Sequence, residues 1–419
     1  MSRVIAFCFL LLAAVLGYLH IDSRPVWAPF ATEGILSAVA EVDSQEQAPE
    51  LAETNKPVKA GKNGLPAKSP IPASLRTDWL PDTGAASVHA ASLIALKDGA
   101  IRAFWFAGSR EGAPDVVINT AVYDPKGLRW SAPTVVMDRV SAEKGLSRYI
   151  AKLGNPVPSR MADGRIQLFF VTVSIGGWAG SSISTVISDD EGLTWGQPQR
   201  LISSPLINLS TLVKSPALHF EDGRLGLPAY HEWIGRFGEF LRIEAGQVID
   251  KRRMSSGRGA IQPVVFVDGE QEASAFFRQT RSSSQVKQIP VSETKNAGQA
   301  WTVAADLEIL NPNSALAALT LANGTRLMVL NNIEAGRYRL VMVMRESNSP
   351  KWKVIEVLED DESLPNDQRR EFSYPYLISA NGEDAHLAYT WDRKKIRHVY
   401  FPAAWFKHAL SSLKEKEGQ

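Results

Sequence analysis

The chain has 419 residues, enough for one large domain or two ordinary ones. Its 44% hydrophobic and 22% charged residues are ordinary for a globular protein. Lysine and arginine total 46 against 45 acidic residues, so net charge gives no argument for nucleic acid as a partner. The one cysteine, Cys8, lies in an N-terminal apolar run, which excludes disulfides and a thiol nucleophile from the rest of the chain.

The N-terminus predicts export. Residues 4–19 form an uninterrupted apolar run behind Arg3. This run is long enough for a signal sequence and slightly short for a comfortable membrane span. No small-x-small cleavage site follows directly, so residues 1–22 are interpreted as a signal anchor in preference to a cleaved signal peptide. We therefore expect a periplasmic domain held at the inner membrane by this helix, or a secreted protein if the signal is cleaved.

Residues 23–80 are predicted to form a flexible linker. Between residues 41 and 75 the sequence is rich in Glu, Gln, Lys, Pro and Ala and poor in aromatic residues. Such a composition does not bury enough apolar surface to build a core. Residues 81–405 are predicted to form an all-β domain, and residues 406–419 a short helical tail.

Turn signals at similar places predict a repeated β architecture. Short strand-like runs flank each of six Asp-Gly or Asn-Gly pairs, which is typical of β-hairpins. One such hairpin per blade favours a six-bladed β-propeller. The pairs are Asp98-Gly99, Asp163-Gly164, Asp222-Gly223, Asp268-Gly269, Asn323-Gly324 and Asn381-Gly382.

An octapeptide at residues 188–195 supports this radial array. It has the form S-x-D-x-G-x-T-W, in which Asp190 can accept hydrogen bonds from the turn and Gly192 can take a positive φ. Trp195 can then pack beneath the hairpin. The octapeptide is interpreted as structural rather than catalytic. Degenerate copies lie at residues 294–301, 123–130 and 347–352.

Polar residues of the inner strands are expected to converge on the central funnel of such a propeller. Several arginines aimed at one cavity predict an anionic ligand, because arginine binds carboxylate through two parallel hydrogen bonds. Carboxyl, phenol and imidazole groups beside them supply acid–base candidates. No metal-ligand spacing stands out, so we expect neither a metal nor a cofactor. The candidates are His89, Arg110, Asp115, Asn155, Tyr230, His231, Glu232, Gln262, Arg278, Arg337, Tyr374, Arg393 and His398.

Residues 87–401 resemble the sialidase-like (BNR-repeat) family, most closely its divergent bacterial branch. The resemblance lies in residues 105–116, in the octapeptide, which resembles the family's Asp box, in Ser373-Tyr374-Pro375 and in residues 389–399. It implies a six-bladed propeller. For sialidase members it also implies three arginines that clamp the sugar carboxylate, an aspartate acid/base, and a tyrosine nucleophile activated by a glutamate.

The resemblance carries over to this sequence residue by residue. It implies that Asp115 is the acid/base and that Tyr374 is the nucleophile. Arg278 and Arg337 match two arginines of the clamp. His89 stands where the first clamp arginine is expected.

Two further positions complete the expected site. Gln262 stands where the activating glutamate is expected, and Glu232 is the candidate replacement. Arg110 and Arg393 are expected to help bind the substrate, together with the clamp residues and with His89 and Gln262.

Three hypotheses remain open at this stage. The first is a glycoside hydrolase of the exo-α-sialidase type, acting on an acidic glycan or oligosaccharide with a carboxylated sugar. Neutral Gln262 cannot take the proton of Tyr374, which weakens Tyr374 as a nucleophile. The second hypothesis is therefore a uronate-polysaccharide lyase in which His89, His231 and Tyr374 transfer the protons. The third is a non-catalytic glycan-binding propeller, favoured by the residues at positions 89 and 262.

Overall fold

The computed structural model describes residues 8, 9, 12, 27–32, 74–204, 208–255, 259–281 and 287–417. The predicted signal anchor of residues 1–22 lies almost wholly outside these residues. Within the described part of the chain, no helix is both long and apolar enough to cross a membrane.

In the described residues antiparallel strands form six sheets of four or five strands, which are the blades of a propeller, and one further two-stranded sheet. Strand β1 (Arg76–Trp79) belongs to the last blade. Blade 1 contains β2 (Ser87–Ala95), β3 (Ile101–Gly108), β4 (Val117–Asp124), β5 (Arg129–Trp130) and β6 (Thr134–Met137). Blade 2 contains β7 (Lys152–Arg160), β8 (Ile166–Val173), β9 (Ser181–Ser188) and β10 (Gln199–Arg200). Blade 3 contains β11 (Leu212–Val213), β12 (Leu218–His219), β13 (Leu225–His231), β14 (Phe237–Glu244) and β15 (Gln247–Arg253).

The remaining blades follow the same order. Blade 4 contains β16 (Ala260–Val267) and β17 (Ala273–Gln279), then β19 (Val291–Thr294) and β20 (Thr302–Val303). Beside it, β18 (Gln288–Ile289) pairs with β21 (Leu307–Leu310). Blade 5 contains β22 (Ala317–Thr320), β23 (Arg326–Leu330), β24 (Arg339–Arg345) and β25 (Lys353–Asp360). Blade 6 contains β26 (Phe372–Ile378), β27 (Ala385–Trp391) and β28 (Lys395–Phe401), completed by β1. The predicted six-bladed all-β propeller is thereby confirmed.

The hydrophobic core is divided among the six contacts between neighbouring blades. Blades 2 and 3 share one cluster of buried side chains and blades 5 and 6 share another. Equivalent clusters join blades 6 and 1, blades 1 and 2, blades 4 and 5, and blades 3 and 4. Each blade therefore packs on both neighbours, and the six blades form a closed ring.

Two segments of the predicted linker belong to the propeller, which corrects the expected linker of residues 23–80. Strand β1 pairs antiparallel with β28, so the first strand closes the ring as the outer strand of the last blade. Upstream, the ring of Phe30 stacks on that of Phe220 with 5.0 Å between centroids. Arg242 lies 4.3 Å above the Trp27 ring. From the sequence these segments are assigned to the linker because four strand residues, or one buried aromatic pair, give too short a pattern to be recognised in a polar sequence.

The six predicted turns each join the innermost strand of a blade to the next strand, and in blade 3 this turn joins β12 to β13. In five of them the glycine has φ between 78° and 84°, at residues 99, 164, 223, 324 and 382. The Asp box lies on the same face, since Glu191 pairs with Arg160 at 2.8 Å and with Lys97 at 3.6 Å. Within the box, Thr194 Oγ1 donates to Asp190 Oδ2 at 2.6 Å, and Gly192 N donates to the Ser188 hydroxyl at 2.8 Å. The loops between the second and third strands therefore lie on the opposite face.

Two helices flank the sheets. Helix α1 (Arg139–Leu146) links blades 1 and 2 and is capped by Asp138, which accepts a 2.7 Å hydrogen bond from Ser141 N. Helix α2 (Ala403–Glu417) forms the predicted helical tail. Its Phe406 packs on Phe401 with 5.9 Å between ring centroids.

Candidate active site

Four innermost strands carry the same bulge. In β2, β7, β16 and β26 the pairing register shifts, and one residue of each bulge has a positive φ. These residues are Ala90, Asn155, Gln262 and Tyr374, with φ of 53°, 44°, 50° and 53°. Such a conformation is strained for a residue with a side chain, and bulges of this kind re-aim side chains near functional sites. The bulges therefore place these four residues at equivalent positions in four blades, around the axis of the propeller.

Gln262 is the centre of a hydrogen-bond network in this funnel. Its Nε2 donates to the hydroxyls of Tyr374 at 3.0 Å and Tyr230 at 3.2 Å. Its Oε1 accepts from Arg278 Nη1 at 3.2 Å, and since guanidinium only donates, this contact fixes the amide orientation. Asn155 Nδ2 extends the network to blade 2 through a 3.4 Å contact with Tyr230. Gln262 thus orients two phenols and one arginine without supplying a charge.

Three arginines continue the network through blades 4, 5 and 6. Arg278 Nε donates to Asn313 Oδ1 at 2.7 Å, and Arg337 Nη2 donates to the main-chain oxygen of Asn313 at 3.1 Å. Arg337 Nη1 also donates to Glu371 Oε1 at 2.9 Å. Arg393 Nε donates to Glu371 Oε2 at 3.2 Å. The predicted arginines 278, 337 and 393 are therefore brought together.

The carboxylates neutralise two of these three arginines. Burial alone would raise the pKa of Glu371, but Arg337, the Ser373 hydroxyl and Arg393 together outweigh it and lower the pKa to about 2. Arg393 also pairs with Glu111 of blade 1. Arg278, in contrast, has only neutral hydrogen-bond partners among the described residues. Arg278 is therefore the cluster arginine best able to take a ligand carboxylate.

Glu232 lies on the loop between β13 and β14. Burial raises the pKa of its carboxyl group above the usual value, and the nearby charge of Arg278 opposes this rise. Burial also raises the pKa of Tyr230 well above its usual value, and the charges of Tyr374 and Glu232 add to the effect. A carboxyl group with a raised pKa is suited to donate a proton.

Asp115 and Arg110 lie on the exposed loop between β3 and β4. Asp115 accepts hydrogen bonds from the hydroxyl and the main-chain N of Ser109, both at 2.9 Å, and these bonds lower its pKa. An ionised carboxylate can accept a proton but cannot donate one. Among the described residues, neither side chain hydrogen-bonds to the network around Gln262.

The expected direct contact of His89 and Gln262 with substrate is not what the structure shows. Both side chains are only 1% exposed. The His89 ring lies beneath Tyr374, with 4.3 Å between ring centroids, and burial lowers its pKa to about 4. His89 is therefore a neutral support for the Tyr374 ring, and Gln262 acts through the groups it orients.

Two other histidines proposed from sequence have structural roles. His231 Nε2 accepts from Ile234 N at 3.2 Å, and its ring stacks on Phe237. His398 packs against His386, with 3.1 Å between ring nitrogens, at the contact between blades 6 and 1. Neither joins the arginine network.

Lys214 is a central residue that the sequence analysis missed. Its Nζ donates to the main-chain oxygens of Leu316 at 2.6 Å and Pro375 at 2.5 Å, joining blade 3 to blades 5 and 6. The residue is 5% exposed, and burial, with a smaller contribution from Arg278, lowers its pKa to about 7. One signal could have revealed it, since Lys214 is the only lysine, arginine or acidic residue between residues 201 and 220.

Comparison with known proteins supports the fold. Residues 99–387 match the BNR repeat-like domain. The Hadza microbial sialidase is similar, with a TM-score of 0.61 and 14% identity over 76% of this chain and 66% of that chain, slightly under two thirds of its length. The NanB sialidase of Streptococcus pneumoniae gives a TM-score of 0.59 and 12% identity over 77% of this chain and 69% of that one.

A third structure covers a larger share of its own chain. The intramolecular trans-sialidase of Ruminococcus gnavus gives a TM-score of 0.57 and 15% identity over 77% of this chain and 96% of that chain. No curated protein matches the sequence. Since all three identities are low, these similarities show a shared fold alone.

Proposed function

Because the chain belongs to the BNR repeat-like family of sialidase-like propellers, we propose that it is a glycoside hydrolase of the exo-α-sialidase type. Its substrate would be a glycan that carries a carboxylated sugar. The observation that carries the proposal is the geometry of Arg278. Among the described residues this cation has only neutral hydrogen-bond partners, and one of them, the Gln262 amide at 3.2 Å, also donates to the hydroxyl of Tyr374. A carboxylate bound to Arg278 would therefore bring its sugar beside Tyr374.

The proposed roles follow from charge and burial. Arg278 binds the sugar carboxylate, assisted by Arg337. Tyr374 faces the anomeric carbon, as nucleophile or as stabiliser of the developing positive charge. Glu232, with its raised pKa, protonates the leaving oxygen as the glycosidic bond breaks. Where Tyr374 acts as the stabiliser and water attacks directly, Asp115, which stays ionised, accepts the proton of that water.

The same network predicts slow turnover. The Tyr374 hydroxyl receives a hydrogen bond from the neutral amide of Gln262. In the described residues no carboxylate is hydrogen-bonded to this hydroxyl to take its proton, so the phenol is a weak nucleophile. This observation also favours a second candidate function, a glycan-binding propeller without turnover. The uronate-lyase alternative is less well supported, because its proposed base His89 is 1% exposed beneath Tyr374.

We also propose that the propeller acts outside the cytoplasm. The apolar run behind Arg3 supports export, with residues 1–22 as an inner-membrane anchor or, if cleaved, as a signal peptide. The glycan partner would then be periplasmic or external. Fractionation of cells that express the full chain tests this, and recovery of all the protein in the cytosol would contradict it.

A turnover assay on the full chain separates the candidate functions. A fluorogenic sialoside and a panel of acidic polysaccharides are incubated with the wild type, Tyr374→Phe, Arg278→Met and the exposed control Tyr149→Phe. The proposal predicts fluorophore release that both site variants reduce and the control retains. Glycan binding without release supports the binding propeller. Unsaturated-uronate absorbance supports a lyase, and neither binding nor release contradicts both proposals.

A further inference from the structure

A cavity opens beside the arginine cluster. Its volume is about 610 Å³, within the range of small-molecule sites, and three loops of blades 5 and 6 line it. Arg337 and Glu371 belong both to this cavity and to the cluster that contains Arg278. A ligand held at Arg278 would therefore lie next to residues that also line the cavity, since Asn313 contacts Arg278 and belongs to that lining. The other polar residues that line the cavity are Tyr338, Asn366, Arg369 and Arg370.

Arg369 provides the unbalanced charge of this cavity. Arg337 is paired with Glu371, and Arg370 is paired with Asp361. Arg369 instead donates from Nε to the main-chain oxygen of residue 364 at 2.9 Å and from Nη2 to that of residue 362 at 2.7 Å. Among the described residues it has no carboxylate partner. The cavity therefore favours an anionic group.

The Arg369 side chain is held in place from behind. Its guanidinium lies 4.2 Å from the centroid of the Tyr338 ring. On that ring a Cβ at Gly336 would come within 2.8 Å of Cδ1, and Gly336 has φ of +81°. Glycine thus lets the Tyr338 ring lie close to the backbone, and the ring braces the guanidinium. Such preorganisation lowers the entropic cost of binding. Among the described residues Arg369 Nη1 has no hydrogen-bond partner, so it can donate to a ligand.

We propose that this cavity is a second sugar subsite, which binds an anionic group on the sugar next to the one held by Arg278. The inference rests on the proposed function and narrows its substrate to a polyanionic glycan. Arg369 binds a carboxylate or a sulfate on the second sugar, because arginine forms charge-assisted hydrogen bonds with the oxygens of either anion. The amides of Asn313 and Asn366 bind its hydroxyl groups.

The test compares oligosaccharides that differ only in the second sugar. Wild-type protein is assayed with disaccharide glycosides whose second sugar is carboxylated, sulfated or neutral. The anionic disaccharides should have the higher kcat/KM, and the two anionic forms identify the preferred group. Arg369→Met should lower the ratio of anionic to neutral kcat/KM by about 10- to 100-fold, the range for a hydrogen bond to a charged group. Gly336→Ala should lower the same ratio by displacing Tyr338.

The control is Arg339→Met, which removes an arginine paired with Asp360 and Glu362 outside the cavity. It should leave the ratio unchanged. An unchanged ratio in Arg369→Met would overturn the subsite. Calorimetric titration with the same unlabelled disaccharides keeps the two proposals separate. If no glycoside is cleaved, the hydrolase proposal fails. A higher affinity of the wild type for the anionic disaccharides, lost in Arg369→Met, still supports the subsite. A wild-type ratio of anionic to neutral affinity near one refutes the subsite.

Discussion

Replacement of Lys214 by methionine should change how the stability of the propeller depends on pH. The Lys214 ammonium is buried on the axis, with two main-chain oxygens as its hydrogen-bond partners. Arg278 is the one charged group that shifts its pKa, and it acts in the same direction as burial. Methionine has a similar volume and no charge. The variant therefore removes the titration while it largely preserves the packing.

The magnitude follows from the pKa of about 7 in the folded chain against the usual 10.5. Well below pH 7 Lys214 is protonated in both the folded and the unfolded chain, and the folded chain bears the full cost of burying its charge. Between these values the unfolded chain binds a proton that the folded chain lacks, so the free energy of unfolding rises with pH. The rise approaches about 1.36 kcal/mol per pH unit above pH 7 and totals about 2.7 kcal/mol between pH 6 and pH 9.

Urea denaturation of the wild type and the variant at pH 6, 7.5 and 9 measures this effect. The wild type should gain about 2.7 kcal/mol relative to Lys214→Met over this interval. The control is Lys407→Met on the exposed surface of α2, whose difference from the wild type should not vary with pH. A difference between wild type and Lys214→Met that is constant with pH would refute the reasoning that Lys214 is a buried, titrating ammonium.

Three further predictions test the site and the fold. Gln262→Glu places a carboxylate 3.0 Å from the Tyr374 hydroxyl and should raise kcat on a sialoside by on the order of 10²-fold, whereas an unchanged kcat excludes Tyr374 as a nucleophile awaiting a base. Phe30→Ala should lower the free energy of unfolding by about 3 kcal/mol in urea, and a loss under about 1 kcal/mol would mean that residues 27–32 do not pack on blade 3. Gly192→Ala should cost about 1–3 kcal/mol, because φ is +89° and a Cβ would lie 2.7 Å from a guanidinium nitrogen. Gly269→Ala is the control, because a Cβ added there meets no atom within 4 Å, and it should lower the free energy of unfolding by under about 0.5 kcal/mol. Equal losses in Gly192→Ala and Gly269→Ala would contradict the described turns.

The parts of the fold that could be predicted are those with local signals. Each Asp-Gly or Asn-Gly pair has its turn geometry within a few residues, so six hairpins could be counted from the sequence. The Asp box is equally local, since Asp190 and Thr194 hydrogen-bond across four residues. Ring closure by β1 was missed because its partner β28 lies more than 300 residues away along the chain.

The site divides in the same way. Arg278, Arg337 and Tyr374 could be predicted because short motifs match a family pattern. The burial of His89 beneath Tyr374 could not, because it depends on a contact between blades 1 and 6. Lys214 contacts residues 102 and 161 positions away. One local signal would have located the funnel, namely a polar residue directly before a proline. It marks three of the four bulges, at Asn155-Pro156, Gln262-Pro263 and Tyr374-Pro375.

The most direct test of the central claim measures whether Arg278 recognises a sugar carboxylate. The kcat/KM of the full chain is compared for a fluorogenic sialoside and its carboxylate methyl ester, with the wild type and Arg278→Met. We predict that the wild type favours the free carboxylate by about 10- to 100-fold, as expected for a hydrogen bond to a charged group. Arg278→Met should lose most of this preference. Equal turnover of acid and ester by the wild type, or a preference that Arg278→Met retains, would contradict the account.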